Sequence, residues 1–526
     1  MITREYRCDD GTPFPVRFAT EADAAATWRL SREHGRDPRT PLGDALERIG
    51  VAGSRRAYEE VGMMLPPSFG DIPEASGFAY YPDTPPTAEL QAATVAGCAR
   101  LLEQHGSALG IWHERCLPSA KQAWADIEAA DGSIPLGRLA ELQCYGLQMT
   151  MLPAYVCGND LDLLARAIGG LFGDASRLVA HELAQGYDNV TLLADQHLWE
   201  LGRLAADDAA ARAALSGDHV SAAMTTLRAS GAAPSFIEAV DGFLAHFGLR
   251  AEGWDIACPT WNEQAEGFWA QVAQMAAPST PEPASAVAAA AARREALVAE
   301  IEARLGDDDD SLARFRRRVA RVESYVAVRE ERALWQVALV GALRHAALRR
   351  GDALAADGVL DDASDVLFLT PEELESSTSG DLGRVAAERR AAHEQRCRWV
   401  PPPVIGGDVP AIAPSAAPAD GVLRGIAASR GIATGTARVI VDLEDADRLE
   451  PGDVLVCVMT SPPWTALFGI ASAVVVDTGD IGSHPAIAAR EYGIPCVLGV
   501  DVATRAIADG ATVTVDGAAG TVTVVG

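Results

Sequence analysis

Apolar positions change their spacing twice along this chain. From residue 20 to about 275 they recur at helical intervals in long stretches rich in Ala, Leu, Glu and Arg, such as 93–105, 161–183 and 189–203, separated by short Pro/Gly breaks. Residues 277–286, APSTPEPASA, read as a linker or exposed loop, and a second helical block is predicted from about 287 to 350. In 362–374, DVLFLT predicts a brief strand and PEEL a helix start. Residues 400–420, VPPPVIGGDVPAIAPSAAPAD, are too rich in Pro, Ala and Gly to bury a core and predict an extended tether. Beyond it the pattern becomes short β-type runs broken by turns: TARVIV, DVLVCV, AVVVD, PCVLGV and TVTVDGAAGTVTVV, with one helix over about 485–492.

The expected architecture is therefore multidomain. A large, mainly α-helical region over 1–399, with a possible break at 277–286, is followed by a tether at 400–420 and a small α/β domain at 421–526. A length of 526 residues with 48% hydrophobic content supports two or three cores, in two to four domains.

Charge narrows the partners. A net charge of −29 with a single lysine, Lys121, repels nucleic-acid backbones and anionic membranes, so neither is expected as a partner. Nine cysteines without a C-x-x-C pair or a His/Cys cluster speak against a disulfide framework and a metal site. No apolar run approaches a membrane span and the N-terminus has no apolar leader segment, which predicts a soluble, cytoplasmic protein.

The candidate chemistry lies in 477–500, DTGDIGSHPAIAAREYGIPCVLGV. A strand runs into a Gly-containing turn, and His484 falls where a helix begins, with Pro485 in its first turn. Unpaired backbone N–H groups and the positive end of the helix dipole gather there and stabilise a phosphate dianion. An imidazole that is largely neutral near pH 7 is a competent nucleophile with a labile N–P bond.

On a predicted helix over about 312–343, Phe315, Val319, Val322, Val326, Ala333, Val337 and Val340 share a stripe with Arg329 at its centre. A guanidinium there either faces a cavity and neutralises a phosphoryl group in transfer or forms a buried ion pair with a neighbouring helix. Trp199, Arg250 and Trp254 either line an aromatic pocket or belong to the core. His34, His113, His181, His197 and His246 show no ligand spacing and are read as structural.

The 477–500 segment resembles the phosphohistidine signature of the swivelling domain of PEP-utilising enzymes. Gly479, Ser483, His484, Ala486, Ile487, Ala489, Arg490, Glu491, Gly493, Ile494 and Pro495 match its pattern, while Asp480 and Gly482 depart from it. The run TSPPWT at 460–465 and GIAASRGIATGTARVI at 425–440 resemble the same domain's preceding loop and its opening. The helical part resembles the acceptor-binding region of rifampicin phosphotransferase and of the large subunit of phenylphosphate synthase, through TWRLSREHGRDPRTPL (27–42), ASGFAYYP (75–82), LAQGYDNVTLLADQHLWELGRLA (183–205), FLAHFGLRAEGWDIACPTWNE (243–263), YVAVREERALW (325–335) and LDDASDVLFLTPEEL (360–374).

The resemblance implies a small swivelling β/β/α domain and a phosphotransferase. A phosphoryl group would ride on His484 to the hydroxyl of a small phenol or alcohol, which could activate it for a later step such as dehydration or carboxylation. Ser483, Gly479 and Gly482 would cradle the phosphate, Arg332 would assist Arg329, and Arg490 would pair with the phosphate or buttress the loop through Glu491. The sequence shows no Gly-rich phosphate loop followed by Lys, so ATP and Mg are expected on a separate ATP-grasp-like partner, ATP going to AMP plus phosphate. A phosphocarrier relaying phosphate to another protein is the alternative.

Overall fold

The computed structural model describes all residues except 32–36, 67–71, 84, 218, 252, 279, 307, 377–380, 408–420, 461–463 and 526. Most of the expected tether, part of the 27–42 motif with His34, and three residues of the 460–465 run thus lie outside the described residues. A large, mostly helical region precedes a C-terminal region rich in strands. The chain forms two compact units that cut across the expected division at residue 399: 1–156, 253–259 and 332–414 make the first, and 157–252, 260–331 and 415–526 the second.

In the first unit, two elements that helical spacing does not announce occupy the N-terminus. Strands Ile2–Arg7 and Pro13–Phe18 pair antiparallel, and the alternation that buries Phe14, Val16 and Phe18 marks one covered face. A three-stranded antiparallel sheet places Trp28–Leu30 between Tyr80–Pro82 and Val404–Ile405. Two residues of the expected tether are therefore ladder residues, and Ile405 is buried with Phe14, Trp28 and Tyr80 in one cluster. A helical layer follows, with Pro41–Glu60, Leu136–Cys157 and the later part of Asp309–Ala356 meeting over Leu42, Leu46, Leu139, Leu339 and Leu343. The first two cross so closely that a Cβ on Gly53 would lie 1.8 Å from the carbonyl oxygen of Glu141. The expected DVLFLT strand is instead a 3-10 turn, Ala363–Phe368. The reason is local: Asp362 caps Ser364 N–H and Asp365 returns a carboxylate to the Asp362 N–H.

The second unit joins helices to a sheet. Val190–Asp207, Pro234–Phe247 and Glu266–Ala276 share a core of Leu198, Leu201, Phe243, Trp261, Phe268 and Trp269. Helix Pro283–Leu305 begins inside the expected 277–286 linker, and Thr280 is buried with its hydroxyl donating to Gln274 O at 2.8 Å. The eight-stranded sheet has at its centre Ile432–Val439, Val454–Cys457, Ala473–Val476 and Cys496–Leu498, all parallel, with antiparallel strands outside them. Val454–Cys457 and Ala473–Val476 are buried at every position, as strands covered on both faces must be. No helix among the described residues is long and apolar enough to cross a membrane.

Candidate functional site

In parallel sheets, ligands gather where strands end at their carboxyl edge. Two adjacent parallel strands here end in functional loops: Val454–Cys457 leads to Thr465, and Ala473–Val476 leads to His484. His484 opens helix His484–Tyr492, which Ser483 precedes in extended conformation and Pro485 enters in the first turn. The turn before it is tied internally. Asp480 takes the Gly482 N–H on its carboxylate at 2.7 Å and the Ser483 hydroxyl on its carbonyl at 2.7 Å. Asp480, where the family pattern has glycine, therefore shapes the loop, and Ser483 is engaged in the turn. Gly479 has φ +99°, a conformation that favours glycine.

The His484 ring shares a hydrogen bond of 3.3 Å between Nε2 and Thr465 Oγ1, and Phe468 meets it edge-on at 6.4 Å. Arg490, one face further along the helix, is 4% exposed, and its Nη1 and Nη2 donate to the carbonyls of Ala428 (2.8 Å) and Ile481 (3.0 Å). Of its two expected roles, the geometry fits a buttress, made directly to the loop rather than through Glu491. Burial, with Arg329 nearby, lowers its pKa to about 10.

Glu491 reaches the helical part of the same unit, accepting the Gly186 N–H at 2.8 Å. Gly186 sits at φ +69°, and a Cβ there would lie 2.2 Å from Ala291 N, so only glycine lets this loop pass. Arg293 donates to the carbonyls of Arg490 (3.1 Å) and Glu491 (3.3 Å), a cation at the C-terminal end of a helix. Arg430 pairs with Glu182 at 3.1 Å.

Burial pushes the Glu491 carboxyl up to about 7, against the pull of the Gly186 amide and Arg329. A raised folded-state pKa gives stability that is complete below the unfolded value near 4.5 and lost as pH rises through about 7. Glu491→Gln should keep the acceptor for Gly186 and remove this loss. In urea titrations from about pH 5 to 8 the wild-type midpoint should fall relative to that of the variant; parallel curves would disprove the assignment.

Arg329 donates Nε to Glu330 at 2.8 Å, so the pair lies on one helix rather than between two, and the Arg329 Nη2 is buried without a hydrogen-bond partner among the described residues. Glu330 also accepts the Thr191 hydroxyl at 2.9 Å. Burial alone would raise the Glu330 pKa, but Arg329, His484 and the two hydrogen bonds hold it below the usual carboxylate range. Glu330 thus stands within electrostatic reach of His484. His181, read from sequence as structural, has its ring carbon Cε1 3.9 Å from where a Gly482 Cβ would be, and burial followed by Arg490, Arg177 and Arg329 lowers its pKa to about 3.

Arg250 is buried. It donates to Thr191 Oγ1 at 3.3 Å and lies over the Trp261 ring at 5.4 Å. Trp199 donates Nε1 to Thr280 O at 3.2 Å and packs on the same apolar cluster. Both make core contacts. Arg332 and Trp254 belong to the first unit, where they line a cavity.

Residues 449–520 match the family model of the PEP-utilising enzyme mobile domain, and residues 150–330 that of the rifampicin phosphotransferase fourth domain. These two parts of the chain are similar to domains of PEP-utilising enzymes and of rifampicin phosphotransferase. His484 and its loop fall in the mobile-domain match, and Arg329 and Glu330 close the fourth-domain match. Across 97% of its length the chain is 28% identical to the chondramide synthase cmdD of Chondromyces crocatus, covering 14% of that protein. It is 40% identical to the uncharacterized phosphotransferase YvkC of Bacillus subtilis over 34% of this chain and 23% of that one. It is 34% identical to a rifampicin phosphotransferase of a Streptomyces species over 54% of this chain and 34% of the other. The chain thus spans about a third or less of the length of these relatives.

Proposed function

We propose that this chain is a phosphotransferase component that carries a phosphoryl group on His484 and delivers it to the hydroxyl of a small phenol or alcohol. The observation that carries this reading is the helix start at His484, at the carboxyl edge of parallel strands and in the same compact unit as Arg329, which has a buried, unpaired Nη2 donor. Phosphoryl transfer is largely a matter of positioning and of charge neutralisation, and an unpaired guanidinium donor suits the second task. On this reading Arg329 exchanges its contact with Glu330 for the incoming phosphate. His181, held neutral, leaves Arg329 as the cation that meets the phosphate.

ATP and Mg are assigned to an ATP-grasp-like module outside this sequence, ATP going to AMP plus phosphate. The matches to a mobile domain and to a rifampicin phosphotransferase domain support this division of labour. We place the reaction in the cytoplasm, a reading that rests on nine cysteines without a C-x-x-C pair in the sequence.

The test is intact-mass analysis of the chain after incubation with ATP, Mg and an ATP-binding partner proven active on a related chain. Gain of one acid-labile phosphoryl group is expected. An unmodified mass would overturn the proposal, and a labelled chain that transfers only to another protein would point to the phosphocarrier.

A further inference from the structure

Within the first unit, helices Pro41–Glu60 and Leu136–Cys157, the later part of Asp309–Ala356 and the inserted segment 253–259 enclose a cavity of about 330 Å³. Its volume lies at the small end of ligand pockets. Leu46, Ile72, Leu147, Ile256, Val340 and Leu343 supply apolar wall, and among the polar residues that also line the cavity two sets bear on a ligand.

One set is acidic. Arg39 Nη2 pairs with Glu47 at 2.6 Å, and Asp255 accepts the Ala257 N–H at 2.7 Å. Burial pushes the Asp255 carboxyl up to about 6, with Arg39 pulling it down and Glu47 and Asp44 raising it.

The other set is Arg332 itself. Its Nη1 reaches only the Met151 sulfur at 2.8 Å, and its Nε is buried with no hydrogen-bond partner among the described residues. A thioether is a weak acceptor. A guanidinium on the cavity wall with no better partner among the described residues is costly to hold, unless a ligand completes it. A carboxylate is the group whose two oxygens match the guanidinium fork. An ionised Asp255, in turn, can only accept, so it suits a hydroxyl donor.

We propose that this cavity is the acceptor site and that it selects a hydroxy acid with an apolar, ring-sized body, its carboxylate on Arg332 and its hydroxyl donating to Asp255. The fate of the bound hydroxyl rests on the phosphotransferase reading; the binding itself does not.

Titration calorimetry on the full chain, without ATP or partner, tests it with three matched probes: 4-hydroxyphenylacetate, 4-methylphenol and phenylacetate. The hydroxy acid should bind at least about tenfold tighter than either probe that lacks one of its two groups, the scale of one charged hydrogen-bonded contact. Arg332→Met should erase the margin over 4-methylphenol, and Asp255→Asn should shrink the margin over phenylacetate. Val51→Phe, which narrows the cavity and keeps its charges, should weaken all three alike; circular dichroism checks that each variant folds.

Equal or tighter binding of 4-methylphenol, a margin that survives Arg332→Met, or no binding of any probe would overturn the proposal. Phosphorylation of His484 is read separately. Probes that bind as expected to a chain that never takes up phosphate would remove the transferase reading and leave the cavity assignment standing, and a labelled chain that binds no probe would do the reverse.

Discussion

His484→Asn should take up no acid-labile phosphate and should lose phosphoryl transfer by more than about 10³-fold, the scale on which removal of a covalent nucleophile is felt. The expectation follows from what the residue touches. The imidazole shares a 3.3 Å hydrogen bond with Thr465 and meets Phe468 edge-on, and Asn keeps a polar group of similar reach at this position. Asn is well tolerated at a helix start, and Pro485 continues to set the first turn. Folding should therefore be nearly unchanged, and the loss should belong to chemistry alone. The measurement is intact mass before and after acid treatment, alongside a urea midpoint for the same preparation. Full labelling of the variant would move the phosphate to another residue.

Arg490→Met should have the opposite profile, a large loss of stability with phosphate uptake falling as a consequence. Its guanidinium spans two carbonyls, Ala428 on one strand and Ile481 in the turn before His484, in a site sealed from water. Hydrogen bonds from a charged donor contribute about 1.5–3 kcal/mol each, and carbonyls left unpaired in the interior add to the loss. Against this, the variant is relieved of burying a charge, a cost visible in the lowered pKa of about 10. The net should be about 3 kcal/mol, read as a shift in the urea midpoint at unchanged slope. Arg490→Lys keeps the charge but cannot span both carbonyls, and should fall between the two. An unchanged midpoint together with lost phosphate uptake would return Arg490 to the role of phosphate ligand.

What the sequence announces is local. The helix start at His484 is legible because Ser483, His484 and Pro485 follow a buried strand and a Gly turn, and the hydrogen bonds that Asp480 accepts inside the turn come from two and three residues away. The central strands are legible for the same reason, as short runs of Val, Leu and Cys between turn residues. The pairing of Glu491 with Gly186 is not, because it joins positions 305 residues apart and neither carries a pattern that names the other. Arg329 stands out on its apolar stripe, yet its partner is the adjacent Glu330, which helical spacing alone places on a different face. The assignment of 253–259 to the first unit is also invisible, since its seven residues have neither period nor length enough to show a core. The N-terminal hairpin was open to reading, because residues 13–18 alternate buried and exposed in strict period two, but long helical stretches dominate the pattern that follows.

The sheet that seats Val404–Ile405 against Trp28–Leu30 bears on how the protein is made. A ribosome releases residue 28 long before residue 404, and at about 5–20 residues per second the interval is on the order of tens of seconds. During that time Trp28 and Tyr80 have no Ile405 to cover them, and one edge of the early strand is left open to foreign pairing. The N-terminal segment is thus synthesised first and completed late. Truncated or stalled chains ending before residue 404 should be the ones that nascent-chain chaperones hold and that aggregate when released without them.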